Sequence, residues 1–461
     1  MIKKLFPYQL QLQIFQLDEY SVSKLLEWIT THFLTRNLEN KKPLIMTQKA
    51  KALYFLALLL AFLCIIVLTF ILKFTGFLFG LLLTTQAYLF LILASIILLP
   101  FDVYKKNKIK QMTRKKLSSY SKLKIIGITG SYGKTSVKEF LYQILKTEHA
   151  VLKTPESYNT PYGIAKVVDL ELDDSYEYFV CEMGAYRIGE IKEICDMINP
   201  QYGILTGINE QHLETFGSLE NTTKGKFELI DALPKDGFGV INIDNPHIKN
   251  NYQKYDKKLF PFGFSDQKFS LKNIKHTASG TEFTLVLDGK EHHAHTKLLG
   301  KPNLQNILAA ATMAFLLGMK SHVIISAIAD LNSVPHRLEI KRINESLTII
   351  DDAYNSNVNG FKEAVALLTS FKEQKILFTP GIVDLGDQTK TIHKSFGEIL
   401  EPIDYIFLIG KSERTTALKE GIAEKNKVKE VLTLQQAWKE VSQMNSQPRI
   451  VLLENDLPDN Y

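Results

Sequence analysis

The ten residues Gly127-Ile128-Thr129-Gly130-Ser131-Tyr132-Gly133-Lys134-Thr135-Ser136 decide the fold of this chain. The short run Lys124-Ile125-Ile126 before them predicts a buried strand, and apolar residues at helical spacing after them predict a helix over 137–145. A strand, a glycine-rich turn and a helix form a phosphate-binding loop, because the turn lets backbone N–H groups approach phosphate oxygens and the helix N-terminus is electropositive. We therefore predict a nucleotide site in which Lys134 neutralises phosphate charge and the Thr135 hydroxyl ligates Mg²⁺.

The glycine pattern departs from the general phosphate-loop motif. That motif has a glycine where this chain has Ile128, whereas the glycines here stand at 127, 130 and 133. A chance glycine-rich turn is the alternative interpretation, but the Lys-Thr pair, the strand and the helix all favour a phosphate site. The further nucleotide contacts that we predict in the loop are Gly130, Gly133 and Ser136.

The length and composition of the chain suit a globular protein of two or three domains with one unusual region. It has 461 residues, of which 45% are hydrophobic and 23% charged, and its net charge is +6. Seven basic residues lie within residues 105–116, close to a long apolar block, which favours a membrane surface over nucleic acid as the partner. The three cysteines form neither a C-x-x-C motif nor the even-numbered set typical of a disulfide framework, which indicates a reducing compartment.

Two uncharged apolar segments, residues 52–72 and 77–99, predict a two-helix transmembrane hairpin. Each has the length of about 20 residues that a helix needs to cross a bilayer. Basic residues on both flanks place both termini in the cytoplasm and leave the connector 73–76 outside. A buried hairpin of soluble helices is the alternative, and a cleaved signal peptide is disfavoured because the first segment begins so late. We thus expect a multi-pass protein of the cytoplasmic membrane, with a cytoplasmic segment 1–51 of unassigned function and a basic linker 101–122.

Beyond residue 122 the chain alternates between strand and helix patterns, which predicts α/β domains with mostly parallel sheets. We expect a central doubly wound domain of the phosphate-loop type over 123–335, with a β-rich insert over 258–298. A C-terminal Rossmann-like α/β domain is expected over 336–461. The predicted strands are 124–127, 178–181, 202–205 and 238–243, then 347–351, 375–379, 405–409 and 449–453.

Three polar residues downstream of the loop are candidates for a metal site. Glu182 ends a predicted parallel strand, where a carboxylate faces the ligand crevice, and we prefer a metal ligand over a surface glutamate there. His212 follows the next predicted strand and offers an imidazole nitrogen, although a structural histidine is the better interpretation of that residue alone. Lys226 is either a site residue or a solvated lysine, and its spacing does not separate the two.

Four more residues are candidate nucleotide contacts. Asn303 and Asn306 stand at i and i+3 of a predicted helix, so their amides share a face and suit an adenine edge, with N-capping by Asn303 as the alternative. Arg337 suits a bidentate phosphate contact or, equally, an interdomain salt bridge. Asp352, in the pair Asp351-Asp352, is either a site carboxylate or part of a capped helix start.

Together these stretches resemble the Mur ligase family, most closely its MurF type. The motifs occur in family order from residue 123 to roughly residue 455, and the glycine pattern of the loop is the one that this family uses. The matching stretches are Gly127–Ser136, Cys181-Glu182-Met183-Gly184-Ala185, His212-Leu213-Glu214 with Phe216-Gly217-Ser218, Lys224-Gly225-Lys226, Gly300 with Asn303 and Asn306, and Asp351-Asp352-Ala353-Tyr354-Asn355-Ser356-Asn357.

The resemblance implies an ATP-dependent, ADP-forming ligase of peptidoglycan precursor synthesis. Such an enzyme joins D-alanyl-D-alanine or a similar amine to a muramyl peptide through an acyl phosphate, with ATP and Mg²⁺ as cofactors. It implies Lys134, His212 and Lys226 as catalytic residues, and Thr135, Glu182, His212 and a carbamoylated Lys226 as metal ligands. It also implies that Asn303 and Asn306 contact adenine, that Arg337 and Asp352 close on the nucleotide, and that Asn159 and Thr160 contact the muramyl substrate.

Two features depart from the family pattern. The apolar hairpin stands where the family has a soluble uridine-binding domain, and the family's Lys-Gly-Ser-Arg near the C-terminus is absent. The acceptor and the amine therefore stay open. The alternatives are a related ligase that forms poly-amino-acid or γ-glutamyl bonds and a membrane-anchored ATP-binding scaffold. Besides small-molecule substrates, the expected partners are membrane lipid and membrane proteins of cell-wall synthesis.

Overall fold

The computed structural model describes residues 7–17, 20–31, 44–156, 158–209, 213–277, 280–354, 357–383, 385–444 and 448–455. The chain divides into two compact units, which lie within residues 1–108 and 109–460. The helices that begin in the first unit are α1 (Tyr8–Leu17), α2 (Val22–Thr31), α3 (Gln48–Thr84) and α4 (Ala87–Ser119).

Helix α3 folds back on itself at Lys73, which has a non-helical backbone with φ 53° and ψ −134°. On the two sides of this reversal, Gly76 lies against the backbone of Leu68 and Gly80 lies against Ile65. Glycine at these two positions allows the close approach, because a Cβ atom there would meet the facing helix. The hairpin therefore turns at one residue, whereas the sequence predicted a connector over residues 73–76.

The two apolar segments predicted from the sequence fall on α3 and α4, which are both long and apolar enough to cross a membrane. A break at Thr85 and Gln86 separates the two helices, within the second predicted segment. Helix α4 runs on to Ser119, so most of the predicted basic linker is helical. Its residues Ile109 and Leu117 pack into the apolar core of the second unit.

The central part of the second unit contains a six-stranded parallel sheet in the order β2-β3-β1-β4-β5-β6. Its strands are β1 (Lys124–Thr129), β2 (Val151–Lys153), β3 (Tyr178–Glu182), β4 (Tyr202–Leu205), β5 (Phe238–Asn242) and β6 (Leu259–Phe262). The helices that follow them are α5 (Lys134–Leu145), α6 (Pro161–Glu171), α7 (Glu190–Ile198), α8 (Leu213–Phe216), α9 (Leu219–Ala232) and α10 (Pro246–Lys249). Strand β1 is an interior strand, paired with β3 and β4, and its Ile126 and Ile128 are fully buried.

A three-stranded antiparallel sheet follows, formed by β7 (Phe269–Thr277), β8 (Gly280–Leu287) and β9 (Lys290–Thr296). Its apolar face packs with α11 (Lys301–Leu316), α12 (Ser321–Ala329) and α5 in one core. These strands account for most of the predicted β-rich insert. The exception is β6, which pairs in parallel with β5 and belongs to the large sheet.

The C-terminal part is a second six-stranded sheet in the order β10-β11-β15-β12-β13-β14, in which only the β10–β11 pair is antiparallel. Its strands are β10 (Glu339–Asn344), β11 (Leu347–Asp352), β12 (Gln374–Thr379), β13 (Tyr405–Ile409), β14 (Val428–Val431) and β15 (Arg449–Glu454). Its helices are α13 (Val358–Thr369), α14 (Thr389–Ser395), α15 (Gly397–Leu400), α16 (Glu413–Gly421) and α17 (Leu434–Ser442). The predicted α/β architecture is confirmed.

Candidate active site

The loop between β1 and α5 has the conformation that its glycines require. Gly130 has φ 152° and Gly133 has φ 78°, backbone conformations that residues with a side chain rarely adopt. The loop is fixed at Ser131, whose N–H donates to the Gly207 carbonyl at 2.7 Å and whose hydroxyl accepts from the Asn209 N–H at 3.2 Å. The turn predicted from the sequence is therefore anchored to the end of the neighbouring strand β4.

Lys134 begins α5, and its ammonium group folds back over the loop. Its Nζ donates to the carbonyl oxygens of Gly130, at 2.8 Å, and Ser131, at 3.2 Å. Burial lowers the pKa of Lys134, with the nearby Glu182 acting in the opposite direction. These carbonyl partners hold the cation where a phosphate group approaching the loop would meet it.

Glu182, at the end of β3, is almost fully buried and has a partner at each carboxylate oxygen. Lys138 Nζ donates to Oε2 at 3.2 Å, and Asn159 Nδ2 donates to Oε1 at 3.2 Å. Lys138 is itself fully buried and was not predicted from the sequence, where a lysine within a helix is usually solvated. The available signal was its position one helical turn after Lys134, on the same face of α5.

Lys226 lies in α9 with its side chain almost fully buried, so it is not the solvated lysine that the sequence left open. Its Nζ donates to the Ala185 carbonyl at 3.2 Å and lies 5.4 Å from the centre of the Phe216 ring. Burial lowers the pKa of Lys226 well below its usual value, and the positive charge of Lys134 adds to the effect. The other predicted metal-site residue, His212, lies outside the described residues.

Asn303 and Asn306 both lie on the first turns of α11 and face the loop side of the sheet. Asn303 Nδ2 donates to the Leu299 carbonyl at 2.9 Å, and the helix is capped at Gly300, so Asn303 does not cap it. Asn306 approaches the loop itself, since a Cβ atom at Gly133 would lie 2.7 Å from its Oδ1. The amide of Asn306 therefore lies beside the phosphate loop.

The C-terminal part contributes Arg337 and Asp352. The Arg337 guanidinium stacks over the Tyr354 ring at 4.2 Å from its centre, and burial lowers the pKa of this arginine. Burial raises the pKa of Asp352 to about 6, and the positive charge of Arg337 partly offsets this shift. The alternative in which the acid pair starts a helix is wrong, because both residues end β11 and Asn357 caps α13.

These residues surround one polar cavity of about 610 Å³ between the central and C-terminal parts of the second unit. Of the residues predicted from the sequence, those that line it are Gly133, Lys134, Thr135, Ser136, Asn159, Glu182, Asn303, Asn306, Arg337 and Asp352. Gly130, Thr160 and Lys226 lie outside its lining. Thr160 instead caps α6, accepting a hydrogen bond from the Gly163 N–H at 3.3 Å.

The two parts of the chain that form the cavity each match the model of a known domain family. Residues 128–314 match the Mur ligase middle domain, and residues 336–454 match the Mur ligase, glutamate ligase domain. A protein of Escherichia coli strain K12 named UDP-N-acetylmuramoyl-tripeptide–D-alanyl-D-alanine ligase is 31% identical over 307 residues, or 65% of this chain and 68% of that protein. The chain belongs to the Mur ligase family. The resemblance drawn from the sequence motifs is therefore confirmed.

Two further comparisons support the same family. A Bacillus subtilis strain 168 protein of the same name is 32% identical over 292 residues, which are 62% of this chain and 63% of that protein. The chain thus spans somewhat less than two thirds of this relative. The crystal structure of MurF ligase from Thermotoga maritima in complex with ADP matches at a TM-score of 0.68 and 25% identity, over 76% of this chain and 80% of that chain.

The side chains of this Mur ligase suit a Mg²⁺ ion that arrives with a nucleotide. In the described ranges, no three His, Cys, Asp or Glu side chains are grouped so that they could hold a metal ion alone. Mg²⁺ is usually bound by one or two carboxylates together with substrate phosphates and waters. The Glu182 carboxylate and the Thr135 hydroxyl, which both line the cavity beside the phosphate loop, fit that requirement.

Proposed function

We propose that the chain is an ATP-dependent, ADP-forming amide ligase of the MurF type, which joins D-alanyl-D-alanine to the peptide of UDP-N-acetylmuramoyl-tripeptide. The observation that carries the proposal is the cavity, to which separate segments bring Lys134, Glu182, Asn306, Arg337 and Asp352. The relatives from E. coli and B. subtilis carry the name of this activity, and the T. maritima relative is described in complex with ADP.

The chemistry requires activation of a carboxylate, because a carboxylate is a poor acyl donor. Transfer of the γ-phosphoryl group of ATP to the peptide carboxylate gives an acyl phosphate and ADP. The amine of the dipeptide then attacks the carbonyl carbon, an amide forms, and inorganic phosphate leaves. Lys134 and the loop N–H groups would bind the phosphates and stabilise the charge that moves during transfer. Mg²⁺ held at Thr135 and Glu182 would supply further charge neutralisation.

The C-terminal residues would complete the nucleotide site. Arg337 would bind phosphate through its planar guanidinium, which the Tyr354 ring orients. Asp352 accepts a hydrogen bond from the Leu338 N–H at 3.1 Å and so fixes the backbone next to Arg337. Asn303 and Asn306 would contact the base or the phosphates from α11. These contacts from both parts would exclude water from the acyl phosphate.

Lys226 is proposed to carry a carbamate that serves as an additional ligand or orienting group near the metal. A neutral amine reacts with CO₂ to give a carbamate and one proton, so the reaction needs a lysine whose pKa is lowered. The burial of Lys226 and its lowered pKa support this proposal. A ¹³C resonance of a carbamate, seen after exchange into ¹³C-bicarbonate and lost in Lys226→Met, would test it.

The decisive experiment is an assay of ADP release by the purified full-length protein in detergent, with the mass of the product followed in parallel. Supplied with ATP, Mg²⁺, UDP-N-acetylmuramoyl-tripeptide and D-alanyl-D-alanine, the protein should form a product heavier by the dipeptide less water. Lys134→Met should abolish it. ADP release only with a γ-glutamyl or poly-amino-acid acceptor would refute the muramyl substrate, and nucleotide binding without turnover on any of them would favour a scaffold.

We also propose that α3 and α4 anchor the enzyme in the cytoplasmic membrane, with the catalytic parts and both termini in the cytoplasm. Only 11% and 22% of their most apolar windows are buried, whereas a core helix of a soluble protein would be mostly buried. Phe70, for example, is 89% exposed. The exposed Lys105, Lys106 and Lys108 follow the apolar part of α4 and suit anionic lipid headgroups.

Cysteine labelling in intact cells tests this topology. A membrane-impermeant maleimide should label Lys73→Cys, at the reversal of α3, and should not label Lys105→Cys until the cells are opened. Cys181 and Cys195 are buried, so they contribute little background. Extraction of the protein from membranes by alkaline carbonate, or equal labelling at both positions in intact cells, would contradict the proposed anchoring.

A further inference from the structure

Lys138 is a buried charged residue that the proposed reaction leaves without a role. It stands on α5 one turn after Lys134, and its side chain is fully buried. Burying an ammonium group is costly, and a buried ion pair is often no more stable than apolar side chains of the same size. The stability of the fold therefore does not by itself explain a lysine at position 138. The contacts of the Lys138 side chain indicate its role.

The ammonium group of Lys138 joins the end of β3 to the stretch that precedes α6. It donates to Glu182 Oε2 at 3.2 Å and to the backbone carbonyl of Glu156 at 2.6 Å, and it lies 3.6 Å from Oε1 of its helix neighbour Glu139. Glu182 is the candidate metal ligand, and its other carboxylate oxygen accepts from Asn159 Nδ2 at 3.2 Å. Asn159 is one of the two residues, with Thr160, that are predicted to contact the muramyl acceptor. Lys138 thus reaches the stretch that contains Glu156 and Asn159 directly at the Glu156 carbonyl, and indirectly through Glu182, which also binds Asn159.

The backbone at Glu156 supports this interpretation. Its φ is 39°, a left-handed conformation that is unfavourable for a residue with a side chain. Such a conformation persists only where the surroundings hold it. The short hydrogen bond from the buried Lys138 to its carbonyl is one such restraint. On the other side of the stretch, the Asn159 carbonyl accepts from the Gly184 N–H at 2.8 Å.

We propose that Lys138 is a positioning residue, which fixes the acceptor-binding stretch around Glu156 and Asn159 to the phosphate-loop helix α5 through one ammonium group. The nucleotide side and the acceptor side of the cavity are then held in one arrangement before either substrate binds. The acceptor part of this role rests on the ligase activity proposed above, whereas the ordering of the stretch does not depend on which acceptor is used.

Hydrogen exchange on the full-length protein in detergent tests the ordering without any substrate. Lys138→Met removes the ammonium group and keeps most of the apolar stem. Amide exchange in a peptide covering residues 154–163 should become about 10-fold faster, as expected for loss of one hydrogen bond to a charged group, while a peptide covering β1 should be unchanged. Lys146→Met, at the exposed end of the same helix, is the matched control and should change neither.

Steady-state kinetics then separate positioning from a general structural role. Lys138→Met should raise the KM for the acceptor about 10-fold with a smaller effect on the KM for ATP, because Lys134 and the loop are untouched. Asn159→Ala should raise the same KM, and the double variant should be little worse than either single variant, because both act through one network.

Two results would overturn the proposal. One is unchanged exchange over residues 154–163 together with an unchanged KM for the acceptor. The other is a fall in kcat alone, which would assign Lys138 to Glu182 and not to the acceptor stretch. If Lys138→Met does not fold, the double variant Lys138→Met/Glu182→Gln removes the unpaired buried carboxylate and permits the exchange measurement. If the wild-type protein is inactive on the muramyl acceptor, the proposed function fails, whereas the exchange result still decides the role of Lys138.

Discussion

Replacing Gly133 by alanine should weaken nucleotide binding and leave the fold intact. Gly133 has φ 78°, and an alanine in this left-handed conformation costs about 1 kcal/mol. In addition, the new Cβ atom would lie 2.7 Å from Asn306 Oδ1, so the amide must move. Moving the end of a flexible side chain costs the fold little, but it removes a hydrogen-bonding group from the phosphate loop. The loss of one such bond to a nucleotide is worth about 1.4 kcal/mol, or roughly a 10-fold higher Kd for ADP.

The matched control is Gly410→Ala. Gly410 has the same φ of 78°, but a Cβ atom there meets nothing within 4 Å. Both variants should therefore show a similar fall in melting temperature, whereas only Gly133→Ala should bind ADP more weakly in isothermal titration calorimetry with Mg²⁺ present. Wild-type ADP affinity in Gly133→Ala would refute the placement of Asn306 and the loop in the nucleotide site. An equal loss of affinity in both variants would show that backbone strain alone is responsible.

Three further predictions concern the wall of the cavity and the lysine beside it. Lys226→Met should reduce turnover about 100-fold with ADP affinity nearly unchanged, and unchanged turnover in the ADP-release assay would exclude a catalytic role for this lysine. Asp352→Asn should remove a fall of about 3 kcal/mol in the free energy of unfolding between pH 4 and pH 6. The sign follows because the raised pKa of Asp352, about 6, lets the folded state keep a proton that the unfolded state has already lost. The free energy of unfolding of the wild type therefore declines as the pH rises from 4 to 6. Denaturant melts of the wild type and of Asp352→Asn across this pH range test the prediction. Tyr354→Leu should weaken ADP binding about 3-fold by removing the ring under Arg337, whereas Tyr354→Phe should bind normally.

The phosphate loop and the parallel sheets could be predicted because their signals are local. The signals follow one another along the chain: strand β1, then the glycines at 130 and 133, then helix α5. Each of them reflects a known conformational preference of its residue types. The position of Glu182 at the cavity could be predicted for a similar reason, since the carboxyl ends of parallel strands meet at one edge of a sheet. The predicted strands fall within the observed ones or differ from them by a residue.

The features that the sequence did not reveal depend on contacts between distant residues. Lys138 differs from a solvated helical lysine only through its neighbours at 156 and 182, which no spacing rule connects. The pairing of β6 with β5 was missed because a Phe-Pro-Phe run suits an edge strand as well as an insert. Likewise, Asn303 suits a helix cap by residue type, and only the position of Gly300 shows that the cap is elsewhere.

The packing of the last turns of α4 limits where a fragment without the apolar helices can begin. Leu117 is 7% exposed, and it and the partly buried Ile109 both pack against the apolar side chains of the central part. Lys110 pairs with Glu193 at 3.0 Å, and Lys116 donates to the Asp169 carbonyl at 2.9 Å. A fragment that starts just before β1 would expose the hydrophobic surface that these residues cover. The part that matches the Mur ligase domains is therefore not separable at the point where its family motifs begin, and a stable fragment must start at or before residue 109.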